Sequence, residues 1–306
     1  MIGWRRDPGA PGREEVAVTA LGAVFVPMLP PERLRPIVAA ADEAGLDELW
    51  LWEDCFFESG IATAAAALAY SERLVVGVGL LPVPLRNVAI TAMELATLHR
   101  LFPGRVRVGV GHGVQDWMGQ VGARVSSPLT LLREQLDALR ALLRGEEVTC
   151  RGRYVQLDRV KLRWAPEQPV PVLAGATGPR TLRLSGAAAD GTILTGGTTP
   201  EQVRAARELI DAGRAEAGRT DPHPVTVYVH SATGPTAAAR METERVEWRY
   251  DAWDGRCAVG DAAEVAAAAG QWARAGADAV ILQPTPDDPD PEGFMRFTAQ
   301  QVKPLL

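Results

Sequence analysis

A glycine-spaced loop with one histidine is the first place in this sequence where residue types and spacing point to chemistry. The stretch LFPGRVRVGVGHG (Leu101–Gly113) predicts the end of a helix, a turn, and a strand that runs into the loop Gly-Val-Gly-His-Gly. Glycine has no Cβ, so the backbone of such a loop can come close to a flat or anionic ligand. Gly111 and His112 are therefore candidate ligand contacts, and His112 is also a candidate for proton transfer. A tight strand-to-loop turn with a structural histidine is the alternative.

Two adjacent carboxylates form a second candidate. Glu53 and Asp54 stand at the end of the apolar segment DELWLWE, where they are either solvated loop residues or part of a site. A carboxyl group can transfer a proton near neutral pH if burial raises its pKa. Asp54 is therefore, with His112, a candidate catalytic residue.

A third candidate is the segment GATGPR (Gly175–Arg180), which predicts a short loop between a strand and a helix. Pro179 suits the first turn of a helix, because proline has no N–H that would need a partner. Free N–H groups at Thr177 and Gly178 would face an anion, and the helix dipole would favour its binding. A plain helix N-terminus without a ligand is the alternative.

An alternation of apolar strands and amphipathic helices predicts how these segments are positioned. The predicted strands are Leu21–Met28, Asp47–Glu53, Leu74–Gly79, Val106–Val110, Val170–Ala174, Gly191–Thr195, Val225–Ser231 and Val280–Gln283. Eight strands alternating with helices predict an α/β fold, a (β/α)8 TIM barrel with its site at the carboxyl ends of the strands. An open doubly wound sheet is the alternative. Against it, no first strand is followed by G-x-G-x-x-G opening a helix, and Val114–Gly122 is not an obvious helix start.

We expect one domain over residues 1–306, with three segments outside the barrel pattern. Residues 1–16 are polar and rich in Pro, Gly and Arg, and predict a flexible leader without the apolar core of a signal peptide. Residues 145–168 contain two short alternating segments and predict a hairpin insertion after the fourth helix. Residues 232–260 predict a divergent insertion after strand seven.

Composition excludes several classes of function. The net charge is −6 and the pI is about 5.4, which argues against nucleic acid or an anionic membrane as a partner. No apolar run reaches the roughly 18 residues of a membrane span. The three cysteines are odd in number and widely spaced, which predicts reduced thiols and a cytoplasmic location. The histidines are scattered, so we expect no metal site.

The run from GVGLLPVPLRN to ELATLHRLFPGRVRVGVGHG resembles the signature of the bacterial-luciferase-like flavin- or deazaflavin-dependent oxidoreductases. This group includes methylenetetrahydromethanopterin reductase and F420-dependent glucose-6-phosphate dehydrogenase. The resemblance covers roughly Leu21 to Leu306 and is weakest between Ser231 and Asp261. It implies coenzyme F420 as the cofactor, with FMN as the alternative, a small-molecule substrate, a homodimer, and a separate reductase that supplies reduced cofactor.

The resemblance also implies roles for individual residues at the rim of the barrel. Gly79-Leu80 would form a non-proline cis peptide and a bulge behind the central ring of the cofactor, with Pro82 in the constrained segment that follows. An ordinary strand exit with trans bonds is the alternative.

Further cofactor contacts are implied on three other loops. Glu53 matches the acidic residue that contacts the cofactor, and Gly111 with His112 would lie beside it. Thr177 and Gly178 match the loop that holds the phosphate of FMN or of the deazaflavin side chain.

Two positions depart from the sugar-phosphate dehydrogenases of this group. Asp54 stands where those enzymes have a histidine, and Val114 stands where they have a glutamate. We therefore expect an F420-dependent oxidoreductase that acts on a substrate less polar than glucose 6-phosphate. An FMN-dependent monooxygenase of the same fold is the alternative, and a non-catalytic cofactor-binding relative is an alternative of another class.

Overall fold

Residues 20–306 are described by the structure, a computed structural model, and the leader predicted for residues 1–16 lies outside the described residues. The strands are β1 (Ala20–Val24), β2 (Glu48–Leu51), β3 (Val75–Pro82), β4 (Val106–Gly111), β5 (Val148–Arg151), β6 (Gln156–Val160), β7 (Val172–Gly175), β8 (Gly191–Leu194), β9 (Val225–Ala232), β10 (Cys257–Val259) and β11 (Ala279–Pro284). The helices are α1 (Leu34–Ala44), α2 (Gly60–Tyr70), α3 (Val88–Leu101), α4 (Gln115–Gln120), α5 (Pro128–Leu143), α6 (Pro179–Ala188), α7 (Pro200–Glu216), α8 (Ala237–Glu247), α9 (Ala262–Arg274) and α10 (Pro291–Arg296).

Parallel strands close into a barrel in the order β1-β2-β3-β4-β7-β8-β9-β11. Closure is made by β11 pairing with β1 at one seam and by β8 pairing with β9 at the other. The predicted (β/α)8 TIM barrel is confirmed. The carboxyl ends of all eight strands therefore meet at one mouth, which is where barrels of this type carry their sites.

Local sequence signals begin several of the surrounding helices. Thr199 caps α7 in a reciprocal arrangement with Gln202, and Asp261 caps α9 in the same way with Glu264. Such capping boxes satisfy backbone N–H groups that have no partner inside the helix. These two helices start at the residues that the sequence indicates.

The barrel interior is filled by large side chains opposite glycines. Trp50 and Tyr228 are buried in the interior cluster, and their rings meet edge to face with centroids 5.8 Å apart. Gly77 is the register partner of Trp50 on the neighbouring strand. A Cβ atom at Gly77 would overlap the indole ring of Trp50. The missing side chain on β3 thus makes room for the tryptophan on β2.

Both predicted insertions contain regular structure. Within residues 145–168, β5 and β6 form an antiparallel pair separate from the barrel sheet. Within residues 232–260 the structure places α8 and the short strand β10, which pairs in parallel with the end of β9. Neither α8 nor β10 was predicted, because weak amphipathic patterning and a three-residue strand leave little signal in the sequence.

Three other elements differ from the predicted bounds. Helix α4 forms where no helix start was expected, and its buried Met118 anchors it in place of a capping side chain. Strand β3 continues beyond Gly79 to Pro82, because a register shift between Val78 and Leu81 restores its pairing with β4. The sequence pattern predicts a last helix over about Gly293–Pro304, whereas α10 begins at Pro291, because Asp290 accepts a hydrogen bond from the Gly293 N–H.

The fit of Trp50 against Gly77 is testable by a double-mutant cycle. We expect Gly77→Ala to lower the free energy of unfolding by about 2 kcal/mol, because overpacking a barrel interior forces side chains or backbone to shift. In a Trp50→Leu background the same change should cost less than about 1 kcal/mol, since the indole is gone. Urea unfolding measures both values, and an equal cost in the two backgrounds would contradict this packing.

Candidate functional site

The side chain of Leu80 lies across the barrel mouth and connects three strands. The Gly79-Leu80 peptide bond is cis, as the resemblance implies, and it lies where β3 shifts register against β4. A Cβ atom at Gly111 would come within 2.6 Å of Leu80 Cδ2, and one at Gly175 would also overlap that side chain. Glycines at the ends of β4 and β7 therefore make room for Leu80, and Pro82 pairs in register with Gly111.

Glu53 is held by an arginine that sequence reasoning missed. Arg86 donates from Nε to Oε1 at 3.0 Å and from Nη2 to Oε2 at 2.6 Å. The N–H of Gly60 also donates to Oε2, at 2.9 Å. Arg86 binds Glu94 at 2.7 Å as well. Glu53 thus fixes the loop after β2 to the loop before α3, and its predicted contact with a cofactor stays a prediction.

Asp54 has the electrostatics of a proton donor. Burial raises the pKa of Asp54 from 3.8 to about 6, because a charged carboxylate is disfavoured away from water. Nearby Glu58 also has a pKa raised by burial. Its Oε1 atom has no hydrogen-bonding partner within residues 20–306. Glu58 was not among the predicted site residues, and the sequence shows it only as a carboxylate four residues after Asp54.

His112 connects the glycine loop to the start of α6. Its Nε2 atom is hydrogen-bonded to Thr181 Oγ1 at 3.1 Å. Its Nδ1 atom is buried and unpartnered in the described part of the chain. Burial lowers the pKa of His112, so the neutral ring is favoured at pH 7. One nitrogen therefore orients the ring and the other remains able to bind a ligand.

The loop after β7 leaves the N-terminus of α6 open. Thr177 is exposed, and a Cβ atom at Gly178 would meet nothing within 4 Å. Gly178 is the N-cap residue, and among the described residues no side chain caps this helix end. Uncapped N–H groups at a helix N-terminus attract an anion such as a phosphate. The hydrogen bond between Thr181 and His112 places this anion-binding end beside the glycine loop.

Aromatic residues below the mouth were missed as site residues. Tyr228 lies edge-on to Trp52, with ring centroids 5.8 Å apart, and its hydroxyl donates to the Gly79 carbonyl at 3.4 Å. Burial raises the pKa of Tyr228 well above its usual value, which keeps the hydroxyl protonated. The alternation of β9 puts Tyr228 and His230 on one face, which is a signal that the sequence does contain.

A cavity of about 320 Å³ opens elsewhere, lined by Glu48, Arg107 and Thr226. These residues lie near the amino ends of β2, β4 and β9. It includes none of the predicted site residues. Barrel sites lie at the carboxyl ends of the strands, whereas the amino ends serve stability, so we place the site at the mouth around Leu80.

Residues 20–306 contain neither a membrane-spanning helix nor a metal-binding cluster. No helix there has both the length and the apolar character needed to cross a membrane. No group of three or more His, Cys, Asp or Glu residues in that range is arranged to hold a metal ion.

Comparison with known proteins identifies similar sequences and structures. The sequence profile described as luciferase-like monooxygenase matches residues 10–279. The chain is 30% identical over 210 residues to 5,10-methylenetetrahydromethanopterin reductase of Methanolobus tindarius, covering 69% of this chain and 64% of that protein. It is 30% identical over 184 residues to F420-dependent glucose-6-phosphate dehydrogenase of Nakamurella multipartita, covering 56% of this chain and 54% of that one. The chain therefore spans less than two thirds of the length of these curated relatives.

A solved structure shows the same fold over nearly the whole chain. The F420-dependent secondary alcohol dehydrogenase in complex with an F420-acetone adduct superimposes with a TM-score of 0.83. The match covers 94% of this chain and 99% of that chain at 20% identity. At this identity the likeness shows the fold alone.

The raised pKa of Asp54 predicts how stability depends on pH. Between pH 4 and pH 6 the folded chain holds a proton on Asp54 that the unfolded chain has released, so stability falls as the pH rises through this range. From pH 4 to pH 7, wild type should lose on the order of 2 kcal/mol of unfolding free energy relative to Asp54→Asn. Urea unfolding at the two pH values measures this loss. Asp211→Asn, at an exposed position, is the control, and a constant difference between wild type and Asp54→Asn would contradict the burial of this carboxyl.

Proposed function

This chain belongs to the luciferase-like monooxygenase family, and we propose that it is an F420-dependent oxidoreductase that transfers a hydride between the deazaflavin and a small organic substrate. The observation that carries the proposal is the open, uncapped N-terminus of α6 beside His112. The F420-dependent dehydrogenase among its relatives supports F420 as the cofactor.

The residues at the mouth suit a phosphate-bearing cofactor with a flat ring. Thr177 and Gly178 would hold the phosphate, because the backbone there is accessible and lies at the positive end of a helix dipole. Leu80, fixed over Gly111 and Gly175, would support the ring from one side. When bound, F420 supplies a ring carbon that carries the hydride, and the protein positions that carbon and excludes water.

Proton transfer is the part of the reaction left to the chain's own residues. A carboxyl group with a pKa of about 6 holds its proton close to neutral pH, which is what a general acid requires. We therefore assign the proton to Asp54, with His112 Nδ1 as the other candidate. Water or the substrate itself is the rival source.

An FMN-dependent monooxygenase is the second candidate function. The description of the matching family favours it, and a phosphate loop at α6 would serve FMN equally well. The raised pKa of Asp54 favours an enzyme over a non-catalytic relative, because strongly shifted pKa values cluster at catalytic sites.

The assembly and location that we propose follow from other observations. Cys55, Cys150 and Cys257 are free thiols, which suits a reducing cytoplasm. Exposed apolar side chains on one face of α3, namely Ile90 at 50%, Met93 at 56% and Leu101 at 65% exposure, support a homodimer. A separate reductase would supply reduced cofactor.

The phosphate loop is tested by a variant that keeps the fold. Gly178→Asp should raise the dissociation constant of F420 at least about tenfold, because the carboxylate repels the phosphate. The Gly178 backbone is extended, with φ −86° and ψ 153°, and aspartate is a favoured N-cap residue, so thermal stability should be unchanged or higher. Fluorescence titration with F420 and with FMN measures affinity. Ala238→Asp adds a carboxylate to the first turn of α8 as the control, and unchanged affinity in Gly178→Asp would remove this loop from the site.

The proton assignment is tested by turnover as a function of pH. With the fastest substrate from a panel of carbonyl and unsaturated compounds, kcat for reduction should fall above about pH 6, where Asp54 loses its proton. Asp54→Asn should lower kcat by roughly 10²-fold and remove that pH dependence. His112→Ala tests the other candidate. If both single variants and the double variant keep wild-type turnover, the assignment is wrong, although the cofactor site can stand.

The proposed dimer is tested by light scattering at micromolar concentration. Wild type should have twice the monomer mass of 32.8 kDa, and Met93→Glu should give monomers, because a charge in an apolar interface is costly. Val246→Glu changes an equally exposed apolar residue on α8 and should leave the dimer intact. A monomeric wild type would contradict the dimer.

A further inference from the structure

His230 and Gln283 lie near the carboxyl ends of β9 and β11. Both carry buried polar atoms that have no hydrogen-bonding partner within residues 20–306. The two residues are register partners on neighbouring strands. Their exposed fractions are 1% and 3%. Both ring nitrogens of His230 and Oε1 of Gln283 are unpartnered. Buried polar atoms are nearly always hydrogen-bonded in folded proteins, so this pair calls for a partner that is not part of the chain.

Both side chains point into the barrel mouth. Two residues earlier on the same strands, Tyr228 and Ile281 belong to the interior cluster, and alternate residues of a strand share a face. A Cβ atom at Gly196 would lie 2.9 Å from His230 Nε2 and 3.0 Å from Gln283 Oε1. The two polar atoms therefore converge beside a glycine, where no side chain of β8 or its loop satisfies them.

Aromatic rings from the segment after β9 surround this pair. The rings of Trp248, Tyr250 and Trp253 lie with centroids 5.1, 5.9 and 5.1 Å from that of His230. Trp253 is anchored by its Nε1–H, which donates to the Met241 carbonyl at 3.2 Å. The Tyr250 hydroxyl donates to the Gly196 carbonyl at 3.3 Å. A ligand that reaches the pair must therefore shift these rings, because His230 and Gln283 are only 1% and 3% exposed.

The segment that carries these rings is itself fixed to the barrel. Arg240 of α8 donates to Thr285 Oγ1 at 2.6 Å and to Asp288 Oδ2 at 2.7 Å. It also donates to the Thr233 carbonyl at 2.7 Å. Since Arg240 is only 6% exposed, this network holds α8 beside the end of β11 and keeps the aromatic rings over the mouth.

The pair presents no net charge to a ligand. Burial lowers the pKa of His230 to about 4, so the imidazole is neutral at pH 7. Glu244 lies 3.7 Å from His230 Nδ1 and receives the Trp248 Nε1–H at 3.0 Å. A neutral imidazole can donate or accept, and the amide oxygen of Gln283 can only accept, so together they suit a hydroxyl group, whereas an acceptor-only phosphate or carboxylate oxygen would face Oε1 without a hydrogen to share.

We propose that His230 and Gln283 bind an uncharged hydroxyl group of the substrate, whose apolar part packs against Trp248, Tyr250 and Trp253. The proposal deepens the proposed function and depends on it only in calling this ligand the substrate. His230 and Gln283 would then determine which substrates bind. The other polar groups of the mouth would hold the cofactor and transfer the proton.

The test uses two probes of similar shape, benzyl alcohol and ethylbenzene, which differ in one hydroxyl group. Saturation-transfer NMR titrations on the protein without cofactor give both dissociation constants. The ratio of the ethylbenzene constant to the benzyl alcohol constant should fall at least about tenfold in His230→Phe and in Gln283→Met, because the hydroxyl loses its partner. His230→Gln should keep most of the wild-type ratio. His99→Phe changes another histidine, one that lines a cavity with Arg107 and Pro169, and should leave the ratio unchanged.

The proposal would be overturned if the ratio changed less than about twofold in both His230→Phe and Gln283→Met. Failure of benzyl alcohol to bind wild type would also overturn it, as would more stable variants without a change in ratio, which would mean that the pair binds only water. Because no cofactor is present in these titrations, their result does not depend on whether the protein uses F420. F420 binding without a change in ratio overturns this subsite alone, and a change in ratio without F420 binding overturns the proposed function alone.

Discussion

The packing of Tyr228 between Trp50 and Trp52 is the constraint on which the rest of the mouth depends. Its ring meets both indoles edge to face, and its hydroxyl reaches the Gly79 carbonyl. Glycines on β3 are what make this possible, because a Cβ at Gly77 or Gly79 would overlap these aromatic side chains. The aromatic layer therefore determines where the β3 bulge can lie. The bulge in turn carries Leu80 across the mouth toward β4 and β7.

Burial also accounts for the electrostatics of the residues around this layer. It disfavours the charged forms of Asp54, His112 and His230, so the pKa moves upward for the acid and downward for the two histidines. Glu53, by contrast, is bound through its carboxylate by Arg86 and by the Gly60 N–H. Two adjacent carboxyl groups thus take different roles. One is fixed as an ion pair, and the other is left with a proton to exchange.

The sequence predicted the barrel and much of its rim, because strand alternation and glycine-rich turns are local signals. Gly178 could also be identified from the sequence, because a proline at the first helical position marks the start of α6. His230 was also accessible, because it lies at the end of the predicted strand seven, but Arg86 and the pairing of His230 with Gln283 were not. Arg86 binds Glu53, which lies 33 residues away in the chain, and His230 pairs with Gln283, which lies 53 residues away. Only the closed barrel brings these residues together. Helix α8 was missed for a similar reason, because the buried Arg240 network that fixes it is tertiary.

A crystal structure of the chain with F420 bound would show directly where the cofactor lies. We expect the phosphate within hydrogen-bonding distance of the backbone N–H groups at the N-terminus of α6, and the ring at the mouth against Leu80. Density for the cofactor in the cavity lined by Glu48 and Arg107 would contradict it. A ring at the mouth with its phosphate away from Gly178 would contradict the assignment of the phosphate loop.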